Sequence, residues 1–266
     1  FVHNAFAFEN PTSYIYFFFL LAFLEHLYSS HAEGSKISQD VSQVGKPSSL
    51  TTNTVITLFA FLCIYYTNIL PAKANMATLA GIQHLNSFNN TSFIDEALTI
   101  PSPHVDDMRT DITKIALQRS RDLLAQNNMK LPKELLQFSR KELEKNLLIH
   151  PNDIRLLITY YEVLRLSAIA FNDSQMILEA ERVLQTALMY SPKRQQLYFM
   201  LAELYLRANK PEEARVLLET VVEDGPSVKE SWWKLITLYS ILGKKEEIVH
   251  TIERAKTNNI QFSEEQ

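Results

Sequence analysis

From about residue 131 onward, apolar residues recur at three- and four-residue intervals, and prolines break the pattern at regular distances. Tyr198, Leu201, Ala202 and Tyr205 form one stripe, Ala214, Leu218 and Val221 a second, and Pro226 closes the unit. One step further along the chain the pattern returns in Trp232, Leu235, Ile236 and Tyr239. Gly243 marks a turn, and Ile248, Ile252 and Ala255 follow. An upstream unit carries Leu157, Tyr160, Tyr161 and Leu164, then Ala180, Leu184, Ala187 and Pro192, with seven extra residues between its halves. Each stripe covers one side of a short helix and is too wide for a single hairpin to bury, so the spacing predicts antiparallel hairpins stacked on their neighbours. Seven residues are about two helical turns, so the insertion lengthens a hairpin without rotating its apolar face.

Further upstream, Glu134–Ile149 before Pro151 reads as the second helix of a degenerate unit, and Asp106–Gln126 as an amphipathic lead-in helix. The expected units lie at about 131–151, 152–192, 193–226 and 227–260 of a repeat region 131–266, whose polar end, 263–266, reads as a frayed cap. Linker and lead-in helices occupy 71–130. Pro192 and Pro226 stand 34 residues apart, and the residues between them resemble the W-x2-L-G-x2-Y…A…P pattern of the tetratricopeptide repeat. That resemblance implies an α-solenoid with a concave face for a protein or peptide partner.

Two apolar stretches precede the repeats. The first, at about 11–28 within a segment 1–28, holds Phe17-Phe18-Phe19-Leu20-Leu21 and has no polar face. The second, 50–70, contains no charged residue and, at about 1.5 Å per residue, would cover a hydrocarbon core of about 30 Å. Tyr65 and Tyr66 near its end suit an interfacial belt. Between them, 29–49 is serine-rich with Gly34, Gly45 and Pro47 and reads as a flexible loop. The expected fold class is therefore all-α: transmembrane helices followed by a solenoid of antiparallel hairpins, with the lipid bilayer as one partner. Lys36 and Lys46 place the loop in the cytoplasm and the repeats outside it, opposed by Lys73.

Composition narrows the chemistry. A net charge of −4 and a pI near 6.0 give no basic field for nucleic acid. Cys63, the one cysteine, lies in an apolar stretch, permits no internal disulfide and reads as a packing residue. No phosphate-cradling glycine loop and no H-E-x-x-H motif occur, so no cofactor is expected. Asp106 and Asp107 beside His104 could ligate a metal, but adjacent carboxylates at a helix start are explained by the helix dipole, and no metal site is assigned.

Phe1-Val2-His3-Asn4-Ala5-Phe6-Ala7-Phe8-Glu9-Asn10, the aromatic run after Ser13, and Asn68-Ile69-Leu70-Pro71-Ala72-Lys73-Ala74-Asn75 together resemble the last membrane segments of bacterial O-antigen ligase and polymerase-type proteins. Ser191-Pro192-Lys193-Arg194-Gln195-Gln196-Leu197-Tyr198-Phe199 resembles the repeat tail that some members carry. The resemblance implies the C-terminal section of a cell-envelope glycosyltransferase of the bacterial inner membrane. Such an enzyme moves a glycan from a polyprenyl-diphosphate carrier, which adds a lipid-linked glycan to the partners. His3-Asn4 could be mistaken for the family's His-Asn pair, but the Gly-containing helix that usually follows it is missing and no arginine precedes Arg109, so His3 reads as an interfacial polar residue and the reactive loop is expected upstream of Phe1. The alternative is a membrane-anchored repeat scaffold without catalytic activity.

Within the repeats, helical phase places Arg155, Ile158, Glu162 and Arg165, then Gln196, Phe199, Glu203 and Arg207, then Glu230, Trp233 and Thr237 on the concave side. Phe199 and Trp233 hold the same place in their units and suit an extended peptide or a sugar ring. They equally suit aromatics tucked against a neighbouring helix.

Overall fold

The computed structural model describes residues 18–24, 50–88 and 92–262, and every regular element among them is helical. They fall into two units, Phe1–Ala60 and Phe61–Gln266. In the first, residues 18–24 are helical, and Phe18, Phe19, Leu20, Leu21, Phe23 and Leu24 are all exposed. The loop 29–49, the cap 263–266 and His3 lie outside the described residues.

Helix α1 (Leu50–Ile64) passes into a π-helical turn, Tyr65–Ile69, and then into α2 (Leu70–Phe88). The turn has a local cause. Pro71 offers no N–H and crowds the carbonyl one turn back, and the backbone widens ahead of it so that Leu70 N–H bonds to the Tyr65 carbonyl. Thr67 Oγ1 adds a bond to the Cys63 carbonyl at 2.8 Å. Pro71 therefore does not end the helix. For the stretch 50–70 expected to span, among the described residues no helix is long and apolar enough to cross a membrane. The chain stays helical through the π turn, and the amphipathic α2 follows it directly.

Helix α3 (Ser92–Thr99) packs on α2, and both lie against α4 (Val105–Ala125). Their core joins Leu85, Ile94, Ile112, Ala116 and Leu135. The helix read as a lead-in, α4, pairs with α5 (Lys130–Ile149) in a hairpin of its own. Three more hairpins follow: α6 (Ile154–Phe171) with α7 (Ser174–Tyr190), α8 (Gln195–Arg207) with α9 (Pro211–Asp224), and α10 (Lys229–Ile241) with α11 (Lys245–Thr257). The seven-residue insertion lengthens both helices of its hairpin, to 18 and 17 residues against 13 and 14 in the next.

Two kinds of turn set this arrangement. Within hairpins the first helix ends on a left-handed residue, Asn127, Asn172, Asn209 or Gly243. The next N–H then reaches back five residues, as in Lys210 N–H to the Tyr205 carbonyl at 2.8 Å and Lys244 N–H to the Tyr239 carbonyl at 2.9 Å. Between hairpins a proline, Pro151, Pro192 or Pro226, follows the last helical turn, and at the last two an aromatic six residues later locks it. Tyr198 Oη donates to the Pro192 carbonyl at 2.9 Å, and Trp232 Nε1 to that of Pro226 at 2.8 Å. Asp153 caps α6 by accepting from Arg155 N–H at 2.8 Å.

The repeat core comes in two parcels. One joins α4 to α8 through Leu143, Tyr161, Leu164, Leu184, Leu197 and Leu201, the other α8 to α11 through Ala202, Ala214, Leu218, Trp232 and Leu235. Tyr205 and Leu217 pack against both.

Candidate interaction surfaces

The first helices of successive hairpins carry a row of ion pairs. Glu162 on α6 accepts from Arg165 of its own helix at 2.8 Å and from Arg121 of α4 at 3.0 Å. Burial alone would lower the Arg165 guanidinium, but the hydrogen bond and charge of Glu162 hold it above its ordinary range. On α8, Arg207 pairs with Glu203 at 3.0 Å. Tyr161 Oη reaches the Met200 carbonyl at 3.4 Å and joins α6 to α8. Sequence phase found Glu162, Arg165, Glu203 and Arg207, but missed Arg121, because a contact between residues 41 apart leaves no local trace.

The remaining candidates separate. Arg155 is exposed and weakly paired with Asp153 at 3.5 Å, Gln196 accepts from Arg194 at 3.0 Å, and Thr237 is exposed and bonds the Trp233 carbonyl of its own helix. Ile158 packs against the first core parcel and Glu230 is exposed. Phe199 is half-buried against the second parcel with Lys234 Nζ 5.9 Å from its ring centre, so it is tucked beside α10. Trp233, one period later, meets the tail instead, its ring 6.3 Å from that of Phe262. Asp106 serves a structural network: it accepts from Arg109 at 2.9 Å and lies 3.2 Å from His150 Nε2, while Arg109 also donates to the buried Glu142 and to Asn146. Among the described residues no group of His, Cys, Asp and Glu could hold a metal ion.

A cleft of about 520 Å³ opens at the end of the array, floored by Trp233, Ile236, Ile248, Ile252 and Lys256, with the tail residues Ile260 and Phe262 at one rim. Of its lining, the sequence reading singles out Trp233 alone as a surface candidate.

Comparison with known proteins adds the following. The tetratricopeptide repeat family matches residues 173–239. No curated protein matches the chain. Solved structures of MamA are similar over much of the chain. One is 13% identical and covers 63% of this chain and 89% of its own, with a TM-score of 0.39. MamA from Desulfovibrio magneticus RS-1, residues 41 to the end, is 15% identical and covers 71% and 97%, with a TM-score of 0.41. The matched segment, residues 173–239, runs from the cap of α7 to Tyr239 of α10 and is similar to the tetratricopeptide repeat.

Proposed function

We propose that this chain is a scaffold, a helical-repeat array that holds a partner protein along its first-helix faces and is itself not catalytic. The observation that carries this is the row Arg121, Glu162, Arg165, Glu203 and Arg207, in which charged side chains of successive first helices are held in ion pairs, Arg121, Glu203 and Arg207 exposed and Glu162 and Arg165 half-buried. Such a row gives register to a bound segment more than raw affinity. A photo-crosslinker at Glu203 in cells should trap a partner, and Arg165→Glu with Arg207→Glu should abolish the product. Equal trapping from Thr220, on a second helix, would overturn the reading.

A membrane-side location, in a bacterial inner membrane with the repeats outside the cytoplasm, is the finer form of this proposal. Its support is the exposed apolar circumference of α1, where Val55, Leu58, Phe59, Phe61 and Leu62 are each more than half exposed. The sequence resemblance to O-antigen ligases extends it to a parent enzyme of glycan transfer, whose reactive part would be encoded before Phe1; the upstream reading frame tests that.

A further inference from the structure

We propose that the edge of the array at the C-terminal ends of α5 and α7 docks on an anionic bilayer surface, with Leu148, Ile149, Met189 and Tyr190 entering the boundary between headgroups and acyl chains. The inference rests on the membrane-side reading given above and names a face and a lipid class for it.

The four side chains are one motif used twice. Leu148-Ile149 precedes His150-Pro151 and Met189-Tyr190 precedes Ser191-Pro192, so each pair closes the last turn of a second helix. Leu148 is 85% and Met189 80% exposed, and Ile149 and Tyr190 are each more than half exposed. Described helices precede and follow both pairs, so neither is bare for want of a next hairpin. Arg140 of α5 bridges to Glu179 of α7 at 3.0 Å, which sets the two pairs at the same end of neighbouring helices. The later hairpins carry Glu223-Asp224 and Thr257-Asn258 at these places, all exposed. The apolar edge is therefore a property of two hairpins and not of the repeat, whose packing leaves the position free to be polar.

Charge selects the surface. Lys141 and Arg182 lie seven residues before Leu148 and Met189, two turns back on the same side of their helices, and Lys193 and Arg194 follow Pro192. Among the described residues Lys141, Arg182 and Lys193 make no ion pair, and Arg194 donates to Gln196. No acid occurs from 182 to 202. Carboxylates near the first pair are already matched: Glu142 by Arg109 and Lys145, Glu144 by Arg140, Asp106 by Arg109 and Asp153 by Arg155. Asp107, exposed at the start of α4, is the exception. The surplus is positive, and cations around protruding aliphatic and tyrosine side chains suit anionic headgroups over an acyl layer. Four side chains expose a few hundred Å², short of the roughly 800 Å² that each partner covers in a stable protein interface, which favours lipid over a second copy.

The test uses the full chain with Cys63→Ser, carrying the environment-sensitive fluorophore NBD at Met189→Cys, with vesicles of phosphatidylcholine and phosphatidylglycerol. Emission should shift to the blue and be quenched by lipids spin-labelled high in the acyl chain. The same label at Glu223→Cys, the equivalent place one hairpin on, should stay in water. Arg182→Glu with Lys193→Glu, both at exposed positions, should cut the quenching at 189 several-fold, as should vesicles of phosphatidylcholine alone. If that variant loses helicity by circular dichroism, Lys141→Glu with Lys193→Gln should give the same cut. Equal quenching on phosphatidylcholine alone would overturn the anionic surface. A blue shift that grows with protein concentration and is blind to lipid spin labels would overturn the bilayer in favour of a second copy. Absence of quenching at 189, with a label at Leu58→Cys of α1 quenched, would remove the docked edge and leave the membrane-side reading. Absence at both places would remove both.

Discussion

The Tyr239 hydroxyl, on the first helix of the last hairpin, donates to Glu219 Oε1 of the hairpin before it at 2.7 Å, while Arg215 holds the other oxygen of that carboxylate at 2.7 Å. Tyr239 is buried and Glu219 half-buried, so the bond is a charge-assisted joint between neighbours. Tyr239→Phe should destabilise the array by about 1–2 kcal/mol in urea unfolding. The double variant with Glu219→Gln should cost less than the sum of the two single changes. Additive costs would show that the pair does not couple the hairpins.

Alkaline unfolding should follow from the same joints. Burial, then the hydrogen bond and charge of Glu219, push Tyr239 up to about 12, and burial likewise raises Tyr160, Tyr161 and Tyr205. A folded-state value above the unfolded one, about 10, means that the unfolded chain releases protons first as pH rises. This contribution is therefore complete below about pH 10 and is lost between about 10 and 12. Melting temperature followed across that interval should fall more steeply in the unaltered chain than in Tyr239→Phe. Equal slopes would count against the assignment.

The left-handed residues inside the hairpins should tolerate glycine and reject alanine. Asn209 has φ 55° and Gly243 φ 68°, and a Cβ on Gly243 would meet nothing within 4 Å, so any cost there is backbone strain alone. Gly243→Ala and Asn209→Ala should each cost about 1 kcal/mol, and Asn209→Gly a few tenths at most. Chemical denaturation of the three variants measures this, and a neutral Gly243→Ala would refute it.

The sequence disclosed the hairpins where the information is local. Tyr198, Leu201, Ala202 and Tyr205, with their counterparts from Trp232 to Tyr239, mark first helices because a buried stripe must recur at helical spacing, and Pro192 and Pro226 mark the turns between hairpins. Gly243 was legible as a turn, but Asn127, Asn172 and Asn209 do the same work with a residue that equally caps or decorates helices. The first hairpin was seen only in halves, since Asn127 gave no break between them. Most hidden was the candidate surface. Phe199 and Trp233 are equivalent along the chain, yet α10 covers one and only the tail meets the other. That distinction belongs to tertiary stacking, as does the pairing of Arg121 with Glu162.

Because the two core parcels share only flanking residues such as Tyr205 and Leu217, the two parcels need not yield to mechanical load together. A tug on the C-terminus reaches the smaller parcel first, and α8, rooted in the larger one through Leu197, Leu201 and Leu204, serves as the arrest point. Extension traces should accordingly show two rips, the second at higher force, with the longer hairpin α6/α7 surviving as the last folded remnant.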